Sequence, residues 1–395
     1  MHARRRASLL LILGVLAGAA AFLLLRDGGA PSYSPLDIED DRWAYTDDRR
    51  DEFEARAAAG HSHVIYEKSP GGILATAARV ARYRDGIESA AGEAGVDANL
   101  VEGMVLLESA GLPDARASDD LEGAVGLTQI LAETATGLLG MSVDVERSER
   151  LTRRLGRARG PRQADRIRRQ RAAADERFDP EKALAATGRY LKLAMDELGS
   201  EDLAVVSYHM GIGNLQQVLG AYGDDEAAYA QLYFDASPDR HPRAYRLLAG
   251  LGDDSKTYLW RVMASRQIMR LYREDRPELR RLAGLHAGAD SAELVLHPDG
   301  GEATEDGLRR EAEAALAYIR AGVRKISGVR RPLRVVRRDP GGWAFEIRRR
   351  YASGAQAEAF QYMLDRLQAL NLIAWTRSAR TIRIVASSEA GELAQ

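Results

Sequence analysis

A carboxylic acid on an apolar helical face is the group in this chain best placed to do chemistry, and Glu108 holds that position. The segment from Asp97 to Glu108 has helical periodicity, with Val101, Met104, Val105 and Glu108 at i, i+3, i+4 and i+7 on one face. A carboxyl there is partly desolvated, which favours its neutral form and raises its pKa. An acid still protonated near neutral pH is what general-acid cleavage of a glycosidic bond needs. The plain alternative is an acid at a helix end that turns to solvent. Glycosidases ordinarily pair two carboxylates across the bond. Asp114, Asp119, Asp120 and Glu122 follow in the next loop and could supply the second, although loop acids are usually just solvated.

Other chemistries find little support. The chain has no cysteine, which excludes disulfides, thiolate metal sites and a cysteine nucleophile. His61-Ser62-His63 has no nearby third ligand, so no metal site is expected there. Gly211-x-Gly213 lacks the preceding strand that a phosphate loop requires and reads as a helix end and turn. Over 395 residues the formal net charge is -2 and aromatics make up 6%, which gives no signal for nucleic-acid binding.

The elements that must position Glu108 are helical. Ile73 to Glu93, Asp97 to Glu108, Val125 to Leu139, Pro180 to Leu198, Leu203 to Met210, Leu215 to Leu219 and Ser255 to Arg273 all read as helices, with no convincing strand among them. Asp179 is a natural N-cap with Pro180 at the first helical position, and Asn214 can cap the short helix after Gly213. Eleven arginines crowd the stretch from Arg147 to Arg171 against Glu149 and Asp165 alone. Gly156, Gly160 and Pro161 prevent it from being one helix. It is either a solvated insert or a contact for anionic wall polymer, membrane phosphate or peptide carboxylates.

Both ends differ from this middle. Arg4-Arg5-Arg6 precedes an uncharged run from Ala7 to Leu25, just long enough to span a bilayer. The arginines would stay inside, placing the rest of the chain outside the cytoplasm. A cleaved signal peptide is the close alternative. Residues 27–69 begin with Gly, Pro and Ser and continue with acids, and read as a tether with a short helix around Asp47 to Ala59. Beyond residue 290, Leu333 to Val336, Trp343 to Ile347 and Thr381 to Val385 read as strands, and Glu305 to Val323 and Gln356 to Leu370 as helices. The expected organisation is an anchor over 1–26, a tether over 27–69, an all-α domain over 70–285 with an arginine-rich insert at 145–178, and a small α+β domain over 290–395.

Four segments in order carry a resemblance. They are Glu108-Ser109 with Ala117-Ser118; Gly123-Ala124-Val125-Gly126-Leu127-Thr128-Gln129-Ile130; Val206-Ser207-Tyr208-His209-Met210-Gly211-Ile212-Gly213-Asn214; and Asp254-Ser255-Lys256-Thr257-Tyr258. Together, over about residues 80 to 265, they resemble the SLT-type lytic transglycosylases, lysozyme-like enzymes that cut bacterial peptidoglycan. The resemblance implies a lysozyme-like all-α fold and Glu108 as the single acid/base. It also implies that Ser118 orients the substrate N-acetyl group and that Gln129, Tyr208 and Tyr258 line the cleft. Ser109, Gly126, His209 and Asn214 complete the expected substrate-binding set. Thr128 stands where the family has Met, and Ser207, His209 and Met210 where it has Ala, Asn and Ala.

In that family Glu108 would protonate the leaving oxygen between MurNAc and GlcNAc, then take the proton of the MurNAc C6 hydroxyl, giving a 1,6-anhydro sugar with no cofactor. The expected partners are peptidoglycan strands and, through the N-terminal helix, the membrane; no nucleic-acid partner is expected. A peptidoglycan-binding scaffold without activity and a hydrolytic muramidase on the same fold are the competing readings. Asp339 to Ile347 faintly resembles a strand of zinc D,D-carboxypeptidases. However, Glu346 replaces the aspartate, no histidine precedes it, and His297 is the only histidine after His286, so a working zinc site is not expected.

Overall fold

The computed structural model describes residues 42–288, 296 and 309–394. The expected N-terminal membrane segment, His297 and the start of the helix expected at Glu305 lie outside these residues. No helix among the described residues is long and apolar enough to cross a membrane.

The chain enters through a 3-10 turn at Asp47–Arg49 and helix α1 (Arg50–Gly60). It continues through α2 (His63–Lys68), α3 (Ile73–Val80), α4 (Arg84–Ala94) and α5 (Ala98–Ser109), which carries Glu108. A long loop leads to α6 (Ala132–Gly137), α7 (Val145–Leu155) and α8 (Pro161–Ala172). Then follow α9 (Pro180–Leu198), α10 (Glu201–Met210), α11 (Ile212–Tyr222), α12 (Tyr229–Asp235), α13 (Pro242–Gly250), α14 (Tyr258–Glu274) and α15 (Arg276–His286). The C-terminal part is α16 (Arg310–Ser327), β1 (Val335–Arg338), β2 (Ala344–Arg348), α17 (Gly354–Ala369), β3 (Ile373–Arg377) and β4 (Thr381–Ala386). Its four strands form one antiparallel sheet in the order β1-β2-β4-β3. Phe345 pairs with Ile384 and Ile347 with Ile382, and all four are buried. Glu346 and Arg383 face each other on the opposite side of the sheet. The protein is thus mainly helical with a small C-terminal sheet.

Local chemistry accounts for the main departures from the expected elements. The helix expected over Ile73 to Glu93 is two helices, separated by a 3-10 turn at Ala81–Tyr83. The helix expected from Val125 shrinks to α6. Val125 instead bridges to Arg116 and Ile130, and Gly126 and Gln129 take left-handed φ angles of 84° and 53° that a helix cannot contain. The tether expected over 27–69 is, from Trp43 onward, part of the core. Trp43 and Phe53 are buried, Phe53 packs edge-on against Phe234 at 4.9 Å, and the Gly60 backbone sits directly on the Gln368 carbonyl. The strand Ile373–Arg377 had no counterpart in the sequence reading.

The C-terminal part packs against the helices. Lys256 Nζ bonds Asp365 Oδ2 at 2.6 Å, Tyr245 meets Tyr362 edge-on at 5.6 Å, and Arg366 donates to the Trp43 carbonyl at 2.6 Å. His63 and His286 share a 2.8 Å Nδ1···Nδ1 hydrogen bond, so His63 is taken up by packing. No group of three or more metal-binding side chains occurs among the described residues.

Helix α5 starts at Asp97, whose carboxylate accepts from the Asn99 amide at 2.9 Å, and ends where Ala110 turns left-handed at φ 54°. Its partner is α14. At Gly103 the two backbones nearly touch, since a Cβ there would lie 2.6 Å from the Val262 carbonyl oxygen and 3.0 Å from the Arg266 amide. This close crossing holds Glu108 and Tyr258 at their mutual distance. Replacing Gly103 by Ala should destabilise the fold by about 1–3 kcal/mol, as over-packing does, and lower turnover. Urea unfolding together with an activity assay checks both effects, and an unchanged variant would refute the role given to this contact.

Candidate active site

Glu108 lies at the end of α5, flanked by the start of α14 and by α10. It is half-buried, and its Oε1 accepts a 2.6 Å hydrogen bond from the Tyr258 hydroxyl. Burial pushes the carboxyl up to about 7, opposed by the Tyr258 hydrogen bond and the positive charge of Arg261. Tyr258 is itself buried, and its phenol is held well above the ordinary range by burial and by the Glu108 carboxylate, so it stays a donor. Asp254 fixes Arg261 through a 2.7 Å ion pair and a 3.2 Å bond to its backbone carbonyl. The group most like a general acid is therefore built from desolvation and a phenol, with Arg261, a cation that acts on it, diverted to another acid.

A second acid on the same helix shows the contrast. Glu102, 1% exposed, pairs with Arg84 at 3.1 Å and with Arg273. Two guanidiniums hold that carboxylate in a purely structural role, tying α5 to α4 and α14.

Tyr208 closes another side. Its hydroxyl donates to the Thr128 carbonyl at 2.7 Å and lies 3.3 Å from Thr187 Oγ1. Burial first, and then the charge of Glu108, raise its pKa, so it lies within the electrostatic reach of the acid. Tyr190 packs edge-on against it at 5.2 Å and donates to the Ser207 carbonyl at 2.6 Å. The His209 ring stacks on Tyr258 at 5.1 Å, and its Nδ1 is 2.8 Å from Ser255 Oγ. Burial lowers its pKa, so the neutral imidazole is favoured.

The remaining sequence-derived candidates play other parts. Gln129 Nε2 donates to the Gly126 carbonyl at 2.8 Å and closes its own turn. Gly126 is set by backbone, since a Cβ would overlap the Arg177 carbonyl. Ser118 is exposed; its hydroxyl accepts from the Asp120 amide at 3.2 Å and lies 3.3 Å from the Asp120 carbonyl. Ser109 is buried and donates back to the Val105 carbonyl at 3.2 Å. Asn214 is exposed and donates to the Met210 carbonyl at 2.8 Å, closing the end of α10. Glu108, Tyr208, His209 and Tyr258 are thus brought together, with the Thr128-Gln129 turn joined through Tyr208. Ser109, Ser118 and Asn214 make only local contacts.

Sequence reasoning missed the group that shapes this turn. Arg177 is fully buried beside the fully buried Asp175. Its Nε and one Nη hold both Asp175 oxygens at 2.9 Å, and the remaining donors reach the carbonyls of Leu121 at 2.7 Å, Gly123 at 3.1 Å and Ile130 at 3.3 Å. All five guanidinium donors are used. The arginine-rich segment acts similarly on the loop after Glu108. Arg171, 1% exposed and stacked 3.7 Å over the Phe178 ring, pairs with Asp114 Oδ1, and Arg168 bonds Asp114 Oδ2 at 2.6 Å. Of these two arginines, Arg171 turns inward and Arg168 stays exposed. Both oxygens of Asp114 are engaged, and Asp119, Asp120 and Glu122 are exposed, so none of the four is built as a second buried catalytic carboxyl. Arg177→Met should cost about 3–5 kcal/mol, the range for breaking a buried ion pair. Arg177→Lys should recover little, because an ammonium cannot span three carbonyls and a carboxylate. Denaturant unfolding of the two variants tests this, and near-wild-type stability of either would count against it.

No curated protein shows a significant sequence match to the chain. A family model does match, over a stretch that runs from the start of α8 to the start of α12 and takes in Tyr208, His209 and Asn214, while Glu108 and Tyr258 flank it on either side. It begins at Pro161, inside the arginine-rich segment that the sequence reading set apart as an insert. Over residues 161–230 the chain matches the family model of the Transglycosylase SLT domain.

Proposed function

We propose that the protein is a lytic transglycosylase that cleaves the β-1,4 bond between MurNAc and GlcNAc in peptidoglycan, with Glu108 as its single acid/base. The observation that carries this reading is a desolvated carboxyl near neutral pKa, hydrogen-bonded to Tyr258 and bordering the domain that matches the family model. Glu108 gives its proton to the glycosidic oxygen as the C1–O bond breaks. The N-acetyl group of the same sugar, oriented by Ser118 in the family's manner, offsets the positive charge at C1. The Glu108 carboxylate then takes the C6 hydroxyl proton as that oxygen bonds to C1, closing the 1,6-anhydro ring and restoring the acid. The nucleophile is part of the substrate, so its effective concentration is high and no second carboxylate is needed to activate water. The exposure of Asp119, Asp120 and Glu122 and the engagement of Asp114 by two arginines favour this route over a two-carboxylate hydrolysis.

We also propose that the chain works outside the cytoplasm, where peptidoglycan lies. Arg4-Arg5-Arg6 and the uncharged run from Ala7 to Leu25 would deliver it there and hold it at the membrane.

Digestion of purified peptidoglycan, with mass spectrometry of the products, should yield anhydro-muropeptides. Hydrated reducing ends would instead identify a muramidase, and absence of products a binding scaffold. Glu108→Gln should reduce turnover by at least about 10²-fold, the lower end of a general acid's contribution, while sugar binding and thermal stability stay near wild type; a variant with substantial turnover would refute the assignment.

The pH profile offers a second test. The first step needs the protonated acid, so kcat/KM should fall as pH rises through about 7. The Tyr258 hydroxyl stabilises the ionised form, so Tyr258→Phe should move this alkaline limb to higher pH even as the maximal rate drops. A limb that stays in place, or moves down, would break the link between Tyr258 and the acid.

A further inference from the structure

Away from the cleft, residues 309–394 are strongly cationic. They hold seventeen arginines and lysines against eight aspartates and glutamates, a net +9 in a chain whose total is -2. Most of those acids are already engaged. Asp365 pairs with Lys256, Glu389 with Arg56 and Glu392 with Arg42, all contributed by the helical part. Asp339 pairs with Arg383, and Glu346 lies 3.6 Å from Arg337. Where the end of α16 meets the segment leading to β1, a groove of about 250 Å³ is lined by Arg320, Arg324, Arg330 and Arg331 over an apolar floor that includes Val329 and Leu333, with no acid in its wall among the described residues.

The groove is held open by its own framework. Gly328 turns left-handed at φ 68° to end α16, and the Val329 amide donates to Ser327 Oγ at 3.2 Å. Gln356, buried, donates to the Arg331 carbonyl at 2.7 Å and accepts from the Ala352 amide at 2.8 Å. Arg320 donates to the Leu333 carbonyl at 3.0 Å, while its Nε is buried without a partner. Arg324, Arg330 and Arg331 make no ion pair among the described residues. Clustered guanidiniums repel one another, and an orphaned buried donor is costly. A small anion with several acceptor oxygens relieves both, whereas one carboxylate satisfies a single fork.

We propose that this groove is a binding site for a phosphate group. Such a group carries close to two negative charges and three acceptor oxygens, enough to bridge several of these arginines at once. It reaches the groove either on a lipid headgroup or as a free or soluble phosphate ester. The proposal is independent of the reading of the Glu108 cleft, because its readout is binding alone.

The test uses the full chain in detergent, its Arg324→Gln/Arg331→Gln double variant, and Arg348→Gln/Arg380→Gln, which removes equal charge outside the groove. Inorganic phosphate and glycerol 3-phosphate are titrated calorimetrically with succinate as competitor, and vesicles of phosphatidylglycerol or phosphatidylcholine are floated with each protein. Saturable phosphate binding is expected in the wild type and the control variant, weakened at least about tenfold in the groove variant. If phosphatidylglycerol flotation also drops in the groove variant alone, the source is a lipid headgroup; if only soluble phosphate binding drops, it is a free phosphate ester. The proposal is overturned by absence of saturable phosphate binding to the wild type, by equal weakening in both variants, or by succinate competing as well as phosphate.

Discussion

The buried guanidinium of Arg177 is the interaction on which the shape of the candidate site depends. A charge taken out of water must find every partner it lost, and Arg177 does so by gathering Asp175 and three backbone carbonyls from Leu121, Gly123 and Ile130. Those carbonyls belong to one loop, so satisfying the charge dictates the course of the loop. The left-handed Gly126 and Gln129 follow from it, and the Thr128 carbonyl is thereby presented to the Tyr208 hydroxyl. Arg177 thus sets one wall of the candidate site.

The two acids of α5 show how one helix can carry opposite electrostatic tasks. Glu102 and Glu108 both lie among apolar neighbours. Glu102 meets two arginines and is spent on holding helices together. Glu108 meets a phenol whose own ionisation is suppressed, and Arg261, the cation that acts on it among the described residues, is occupied by Asp254. Glu108 is distinguished less by its burial than by which partners the fold withholds from it.

The legible parts of the sequence were those with a period or a motif. Glu108 announced itself through helical spacing, and Tyr208, His209 and Tyr258 through motifs in order; the structure brings these four together. Asp179 and Pro180 marked the start of α9. Arg171 and Arg177 gave no signal, because an arginine in a charged run looks solvated until the fold supplies Asp114, Asp175 and a ring of carbonyls. The same applies to residues 42–69. Their composition is that of a linker, and only long-range partners such as Phe234 and Gln368 turn Trp43, Phe53 and Gly60 into core. Ser109, Ser118 and Asn214 match motif positions, yet their bonds are local, so motif identity alone does not specify which way a small polar side chain is used.

The seating of Trp43 through Gly60 against α17 has a mechanical consequence. Arg42 bonds Glu392, Arg56 bonds Glu389, and Arg366 grips the Trp43 carbonyl, so the stretch that leads into the helices is fastened to the far end of the chain. Tension applied upstream of Trp43 would be borne first by these fastenings and by the sheet domain behind them. Because α1 also packs on α14, part of that load would reach the helix that carries Tyr258.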